Sequence, residues 1–188
     1  MKLVRLGNIG SEKPSIIDKQ NNYRDLSSII IDLNPETLNF ETLEKIKNTN
    51  INDLPILDSN SRIGACVSKP SKFIGIGLNF KDHAEEQNLP IPNEPIIFSK
   101  FTSCITGPND QIIVPKDSEH TDWEVELGFV IGKKAKNVSI ENALEHVLGF
   151  FLVNDVSERN YQKNKGLTWD KGKGFDTFGP IGPYIVTK

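Results

Sequence analysis

With 188 residues, a quarter of them charged, and a net charge of −3, the chain has the length for one substantial core or a small domain joined to a medium one, and the composition of an ordinary soluble protein. Dispersed lysines nearly balanced by acids exclude nucleic acid as the expected partner, and the longest apolar runs fall far short of the roughly 20 residues that a membrane span needs. No apolar targeting segment precedes Lys2 and Arg5, and Cys66 and Cys104 suggest packing thiols rather than a disulfide framework, so the expected location is the cytoplasm.

Alternation within residues 1–10, closed by a glycine turn, predicts a first strand, and residues 14–17 continue it as a meander. Residues 26–33 have a β-branched centre and read as a strand, with a short loop as the alternative. Residues 37–47 place Leu38, Leu43 and Ile46 on an amphipathic helix with acids early and lysines late, the polarity the helix dipole favours. Residues 51–69 are turn-rich and Pro70 follows. We place a junction at residues 68–72, dividing a small N-terminal α+β domain, 1–69, from a unit, 70–188, that carries the chemistry; one compact domain is the alternative.

The second unit begins with a β-rich stretch, 72–80, in which Gly75 and Gly77 remove side chains from one face and let a ligand or another strand approach. No third glycine completes a phosphate-binding fingerprint. In residues 79–92 a short helical turn puts His83 and Glu86 on one face, a base and a carboxylate on a segment short enough to act as a lid. Strands follow at 95–100 and 111–115, with a turn at 105–110 between them and a linker, 116–122, after them.

The strand at 123–132 carries Glu124 and Glu126 on one face and Leu127, Phe129 and Ile131 on the other. Two like charges side by side are costly to desolvate unless their face is open to water or they share a cation. On these residues alone both readings stay open. A capped helix is expected from Ser139 to a stop at Gly149, with no chemistry assigned to His146. A strand at 150–157 is apolar until Asn154 and Asp155, which makes Asp155 a third candidate ligand. Arg159 and Gln162 share one side of the next turn, and a closing strand is expected at 184–187. Nothing in the glycine- and lysine-rich stretch between them distinguishes Lys173 from Lys163, Lys165 or Lys171. Short strands joined by Gly, Pro, Asn and Asp turns predict a mixed, β-rich roll or distorted barrel rather than a doubly wound sheet.

Glu124, Glu126 and Asp155, with no cysteine or histidine at ligand spacing, point to a hard ion, Mg²⁺ or Mn²⁺. Their excess negative charge gives Lys100, Arg159 and Lys173 possible roles in receiving the carboxylate of an anionic substrate. A metal chelated by a 2-oxo acid can stabilise an enolate, and His83 oriented by Glu86 could then activate water.

Four motifs in order resemble the fumarylacetoacetate hydrolase family. GLNFKDHAEE resembles its lid, WEVELGFVIG its double glutamate, and NDVSERNYQ followed by WDKGKGFDTFGPIGP its aspartate and lysine region. The resemblance runs from near residue 70 to the end, and the N-terminal part resembles the small variable domain of bacterial members. It implies Glu124, Glu126 and Asp155 as ligands of Mg²⁺ or Mn²⁺, and His83 and Glu86 as the dyad that activates water when the lid closes. It also implies Lys173 as the active-site lysine and Gln162 as a polar residue holding substrate or water. Arg159, beside the metal-site aspartate, would have a structural or a substrate role.

The implied fold is a mixed β-strand roll, usually a homodimer, acting on acylpyruvates and related small, anionic 2-oxo acids. RIGACVSKPSKFIGIGLNF, SCITGPND and SEHTDWEVELG resemble in particular the subgroup labelled 2,4-diketo-3-deoxy-L-rhamnonate hydrolases or ureidoglycolate lyases. The leading expectation is therefore metal-dependent cleavage of a 2,4-diketo acid to pyruvate and a second acid. The alternatives are isomerisation or decarboxylation of a 2-hydroxyhepta-2,4-diene-1,7-dioate, a ureidoglycolate lyase, and, in another class, a noncatalytic fragment or interaction module. Family members usually continue through further strands, so the resemblance implies that the C-terminal part of the roll is absent from this chain.

Overall fold

A computed structural model describes residues 1–86, 88–166 and 168–188. The N-terminal alternation forms β1 (Lys2–Leu6) and β2 (Lys13–Ile17), paired antiparallel with Leu3 opposite Ile16, and β3 (Tyr23–Asp25) pairs with β2. Residues 26–33 form turns, the loop alternative rather than the strand. Asp25 starts them by accepting the Ser27 N–H on its side chain, and Leu26, Ile30 and Leu33 reach the core from loop backbone. Helix α1 (Phe40–Lys47) follows the predicted pattern, with Asn39 capping the Thr42 N–H and Leu43 and Ile46 buried.

Next come β4 (Phe73–Gly77), α2 (Lys81–Glu86) and β5 (Ile96–Lys100), with β4 and β5 forming a separate antiparallel ribbon. Then follow β6 (Ile105–Thr106), β7 (Thr121–Asp122), β8 (Val125–Ile131), α3 (Ile140–Ala143), β9 (Val147–Asn154) and β10 (Ser157–Glu158). The chain finishes with α4 (Arg159–Lys163), α5 (Asp170–Lys173) and β11 (Gly179–Thr187). The main sheet has seven strands in the order β3-β2-β1-β11-β9-β8, with β6 parallel to β11; β7 and β10 pair apart from it.

One core joins Leu3, Ile16, Leu43 and Ile46 to Leu148, Phe151, Val153, Ile181 and Ile185, so the N-terminal strands and α1 pack on the sheet that β9 and β11 continue. Each such side chain, fully buried, contributes roughly 1.5–3 kcal/mol. A smaller cluster of Cys104, Val156 and Phe178 lies apart from it, and both cysteines are buried and free. Burial pushes the Cys104 thiol up to about 11, which suits a packing role.

Four further expected elements differ. Residues 111–115 are irregular, held by the Ile113 N–H donating to Thr177 Oγ1. The helix after Ser139 is one short piece and a 3-10 turn, because Val147 and Leu148 join β9, where Leu148 is buried. The closing strand starts at Gly179, five residues before the expected Tyr184, the turn expected around Arg159 is a short helix, and a second short helix carries Lys173.

Strand β8 sorts its residues as its alternation predicts, but the burial is unusual. Glu126, Gly128 and Val130 are half-buried, while Val125, Leu127, Phe129 and Ile131 are exposed, with Leu152 beside them on β9. The fold is mixed α+β and β-rich, with open sheets; the closed roll that the resemblance implies is not formed among the described residues. Among those residues no helix is long and apolar enough to cross a membrane.

Candidate active site

Two strand ends bring the carboxylates together. Glu124 precedes β8 and Asp155 follows β9, and the Asp155 N–H donates to the Glu124 carbonyl at 2.9 Å while the Glu124 N–H donates to Asn154 Oδ1 at 3.2 Å. Both side chains then meet the same cation. Lys173 Nζ is 2.7 Å from Glu124 Oε2 and 2.7 Å from Asp155 Oδ2. The other Asp155 oxygen accepts from Lys100 Nζ at 2.6 Å. Glu126, two residues along from Glu124, accepts on Oε2 from Asn79 Nδ2 at 3.0 Å.

The position of Lys173 is set by the packing of α5. A Cβ on Gly172 would lie 2.5 Å from the Gln162 nitrogen and 2.6 Å from the Glu158 carbonyl, so only glycine lets α5 rest on α4. Asp170 accepts the Ser99 N–H at 2.7 Å, which ties α5 to β5. Trp169 packs on Phe98 with ring centroids 5.6 Å apart, and Lys173 Nζ stands 5.2 Å from the Phe98 centroid. The expectation that Gly75 and Gly77 let something approach is met from within the chain: Phe98 and Trp169 rings fill the places where their Cβ atoms would be.

Arg159 is held on three sides. Its Nη2 reaches Glu124 Oε1 at 2.6 Å and Asp122 Oδ2 at 2.7 Å, and its Nη1 donates to Gln162 Oε1 at 3.1 Å. Glu158 fixes the start of α4 by accepting the Tyr161 N–H at 2.6 Å. On α2, His83 Nδ1 and Glu86 Oε2 are 3.7 Å apart, as their spacing predicts, and both side chains are substantially exposed.

An open cavity of about 910 Å³ connects these groups. Its lining includes His83, Glu86, Glu124, Glu126, Asp155, Arg159, Gln162 and Lys173, together with Phe98, Trp169, Asn79 and Asp122. Lys100 alone among the candidate residues does not line it. It is 2% exposed and turns its ammonium onto protein acceptors, a placement different from the substrate contact expected of it. Asn79 and Asp122 are the site residues that sequence reasoning missed. Asn79 carried no signal beyond its place in the lid motif, and Asp122 was read as part of a linker.

Burial pushes Asp155 upward, but the Lys100 and Lys173 ammonium groups outweigh it and hold the carboxyl below the usual range. Burial raises Glu126, reinforced by Glu124 and Asp155, while Asn79 opposes the shift. For Arg159, desolvation is overcome by Asp122 and Glu124, which hold the guanidinium above its ordinary value.

Three carboxylates facing one cavity are the donor chemistry that a hard divalent ion takes. Their present arrangement favours other partners: Lys173 stands between Glu124 and Asp155, and Asn79 holds Glu126. Among the described residues no three metal-capable side chains stand close enough together to form a cluster. The chemistry of the set fits the ion, and binding would require Lys173 and Glu126 to shift.

Residues 72–188 match the family described as fumarylacetoacetate (FAA) hydrolase, C-terminal. A Burkholderia cenocepacia protein provisionally named a hydrolase is 54% identical over 188 residues, which are all of this chain and 67% of that protein. A solved fumarylacetoacetate hydrolase from Exiguobacterium antarcticum superposes with a TM-score of 0.83 at 31% identity, with 100% of this chain and 66% of that one covered. The 2-hydroxyhepta-2,4-diene-1,7-dioate isomerase from Mycobacterium marinum does so with a TM-score of 0.70 at 27% identity and the same coverage. The chain thus spans about two thirds of the length of these relatives.

Proposed function

The chain belongs to the fumarylacetoacetate hydrolase family, and from that premise we propose that it moves a proton along the enol form of a small 2-oxo acid, as an isomerase or decarboxylase of 2-hydroxyhepta-2,4-diene-1,7-dioate type. The observation that carries this reading is the Lys173 ammonium, held 2.7 Å from both Glu124 and Asp155 at the cavity wall. An ammonium able to stabilise an enolate oxygen is thereby held inside the cavity, and the His83–Glu86 pair lines the exposed rim of the same space, where it can exchange a proton with the substrate. The likeness to a solved isomerase supports the same choice.

In the isomerisation the proton on the C2 oxygen leaves, its electron pair forms the C2 carbonyl, the diene electrons shift by one bond, and C5 takes up a proton; no other atom is gained or lost. Arg159 receives the C1 carboxylate, with Asp122 keeping the guanidinium aimed. Lys173 stabilises the negative charge that develops on the C2 oxygen. His83, lining the same cavity from α2, exchanges the proton with substrate carbon, and Glu86 orients it. Gln162 steadies Arg159. A Mg²⁺ or Mn²⁺ ion would be held by Glu124, Glu126 and Asp155 and would supply Lewis-acid polarisation of the 2-oxo group.

A second reading, hydrolytic cleavage of a 2,4-diketo acid, is favoured by the pairing of His83 with Glu86 and by the name of the Burkholderia relative. Incubation of the chain with the dienedioate and with an acylpyruvate, each with Mg²⁺ or Mn²⁺ in heavy water, separates the two. Loss of the diene absorbance with deuterium at C5 is the expected result. Pyruvate from the acylpyruvate, with solvent oxygen in the second acid, would transfer the proposal to hydrolysis, and no turnover of either acid would sink both.

A further inference from the structure

We infer that Lys100 is a positioning residue: one buried ammonium fixes both Asp155 and the helix that presents Lys173. Its Nζ donates to Asp155 Oδ1 at 2.6 Å, to the Lys173 carbonyl at 2.6 Å and to the Val156 carbonyl at 3.3 Å. Three acceptors match the three donors of an ammonium, and no donor is left for a substrate. Lys100 is 2% exposed and does not line the cavity.

The strand that carries Lys100 acts as a template. The period of two on β5 points Phe98 and Lys100 to one face, and both are buried. Phe98 presents its ring to the Lys173 ammonium while Lys100 binds the backbone carbonyl of the same residue. Between them, the Ser99 N–H holds Asp170 at the start of α5. Three successive residues of one strand therefore set where α5 lies, and of the three it is Lys100 that also reaches the Asp155 carboxylate beyond α5. Lys100 meets Asp155 on Oδ1 while Lys173 meets it on Oδ2, so the two ammonium groups hold the carboxylate from both sides. A salt bridge made solely for stability would need no bond to the Lys173 backbone.

The kinetic consequence rests on the proposed function, but the geometric one does not. Lysine side-chain ¹⁵N spectra of the full chain report each ammonium directly, without substrate or metal. Two slowly exchanging ammonium signals are expected, one of which disappears in Lys173→Met. In Lys100→Met the other disappears and the Lys173 signal shifts or broadens. Lys100→Gln, which retains a donor, serves if the methionine variant does not fold. With substrate, kcat falls about a hundredfold in either Lys100 variant, the scale of an ångström-level misplacement, while KM stays within about threefold.

A single protected ammonium in the wild-type spectrum, or an unmoved Lys173 signal in the Lys100 variants, would overturn the inference. So would a raised KM with kcat intact, which would return Lys100 to substrate contact. A lowered melting temperature with kcat and the Lys173 signal unchanged would reduce Lys100 to a structural ion pair. If the spectra behave as expected but the wild-type chain turns over neither acid, the proposed function fails and the positioning role of Lys100 stands.

Discussion

Arg5 and Arg62 share Glu12 near the N-terminal strands much as Lys100 and Lys173 share Asp155 beneath the cavity, yet the two networks are built differently. Arg5 grips Asp32 with two nitrogens, at 2.6 and 3.1 Å, and Arg62 grips Asp110 with two, at 2.7 and 2.5 Å. Glu12 bridges the guanidinium groups, at 3.1 Å from Arg5 and 2.9 Å from Arg62. None of these five residues lines the cavity. The forked arginines make a rigid clasp between the first strands and the turn that Asp110 closes. Around Asp155 the cations are lysines, point charges rather than forks: Lys100 is fixed on protein acceptors away from the cavity, Lys173 faces it, and Glu126 nearby makes no ion pair among the described residues. The difference teaches that an ion pair does not itself mark a site. What sets the second network apart is a carboxylate that makes no ion pair among the described residues and a lysine ammonium beside open space.

Lys173→Met should have the largest effect on this contrast: a fall in kcat of about a thousandfold, with stability to urea reduced by about 3–5 kcal/mol because Asp155 and Glu124 lose a buried partner. Gly172→Ala should cost about 1–3 kcal/mol by forcing α5 away from α4, and the displaced Lys173 should slow turnover about a hundredfold. Arg62→Met should destabilise the chain by about 2 kcal/mol while leaving kcat within about twofold; a large loss of kcat would break the distinction between clasp and site.

The clasp also has an acid signature. The Arg62 guanidinium lowers the Asp110 carboxyl to about 2. Since its folded value lies below the ordinary aspartate value near 4, its contribution is fully present above about pH 4 and is lost as pH falls through about 2. Arg62→Met should shrink that part of the acid-unfolding curve, leaving what the Thr106 hydroxyl and Gly107 N–H contribute. The smallest effect is expected on the exposed face of β8, where Leu127→Lys should change stability by no more than about 0.5 kcal/mol.

Much of this was legible in the sequence because it depends on short-range periodicity. The period of two in 123–132 sorted Glu126 from Leu127, and the spacing of His83 and Glu86 placed them on one helical face. Asp155 could be singled out as a charge ending an apolar strand. Lys173 could not, because its distinction lies in Gly172, which lets two helices touch, and in Phe98, far away along the chain. Only the family resemblance picked it out. Lys100 was recognised as a useful charge, but its burial was not foreseen, since alternation within β5 tells which residues share a face and not whether that face meets solvent or protein. The same limit hid the exposure of Leu127 and Phe129: a strand with apolar residues on one face does not reveal what lies against it. Residues 26–33 allow strand or loop on sequence alone, and the loop wins because a local side-chain bond to Asp25 competes with strand formation despite the β-branched centre.

The ring that fills the space beside Gly77 gives the site an optical handle. The chain has two tryptophans, and Trp123 is 72% exposed whereas Trp169 is packed against Phe98 in the cavity wall. Replacing Trp123 by phenylalanine would leave a single indole whose emission comes from beside Lys173. Its intensity and wavelength would then follow the filling of the cavity in real time, with no label attached and no reaction required.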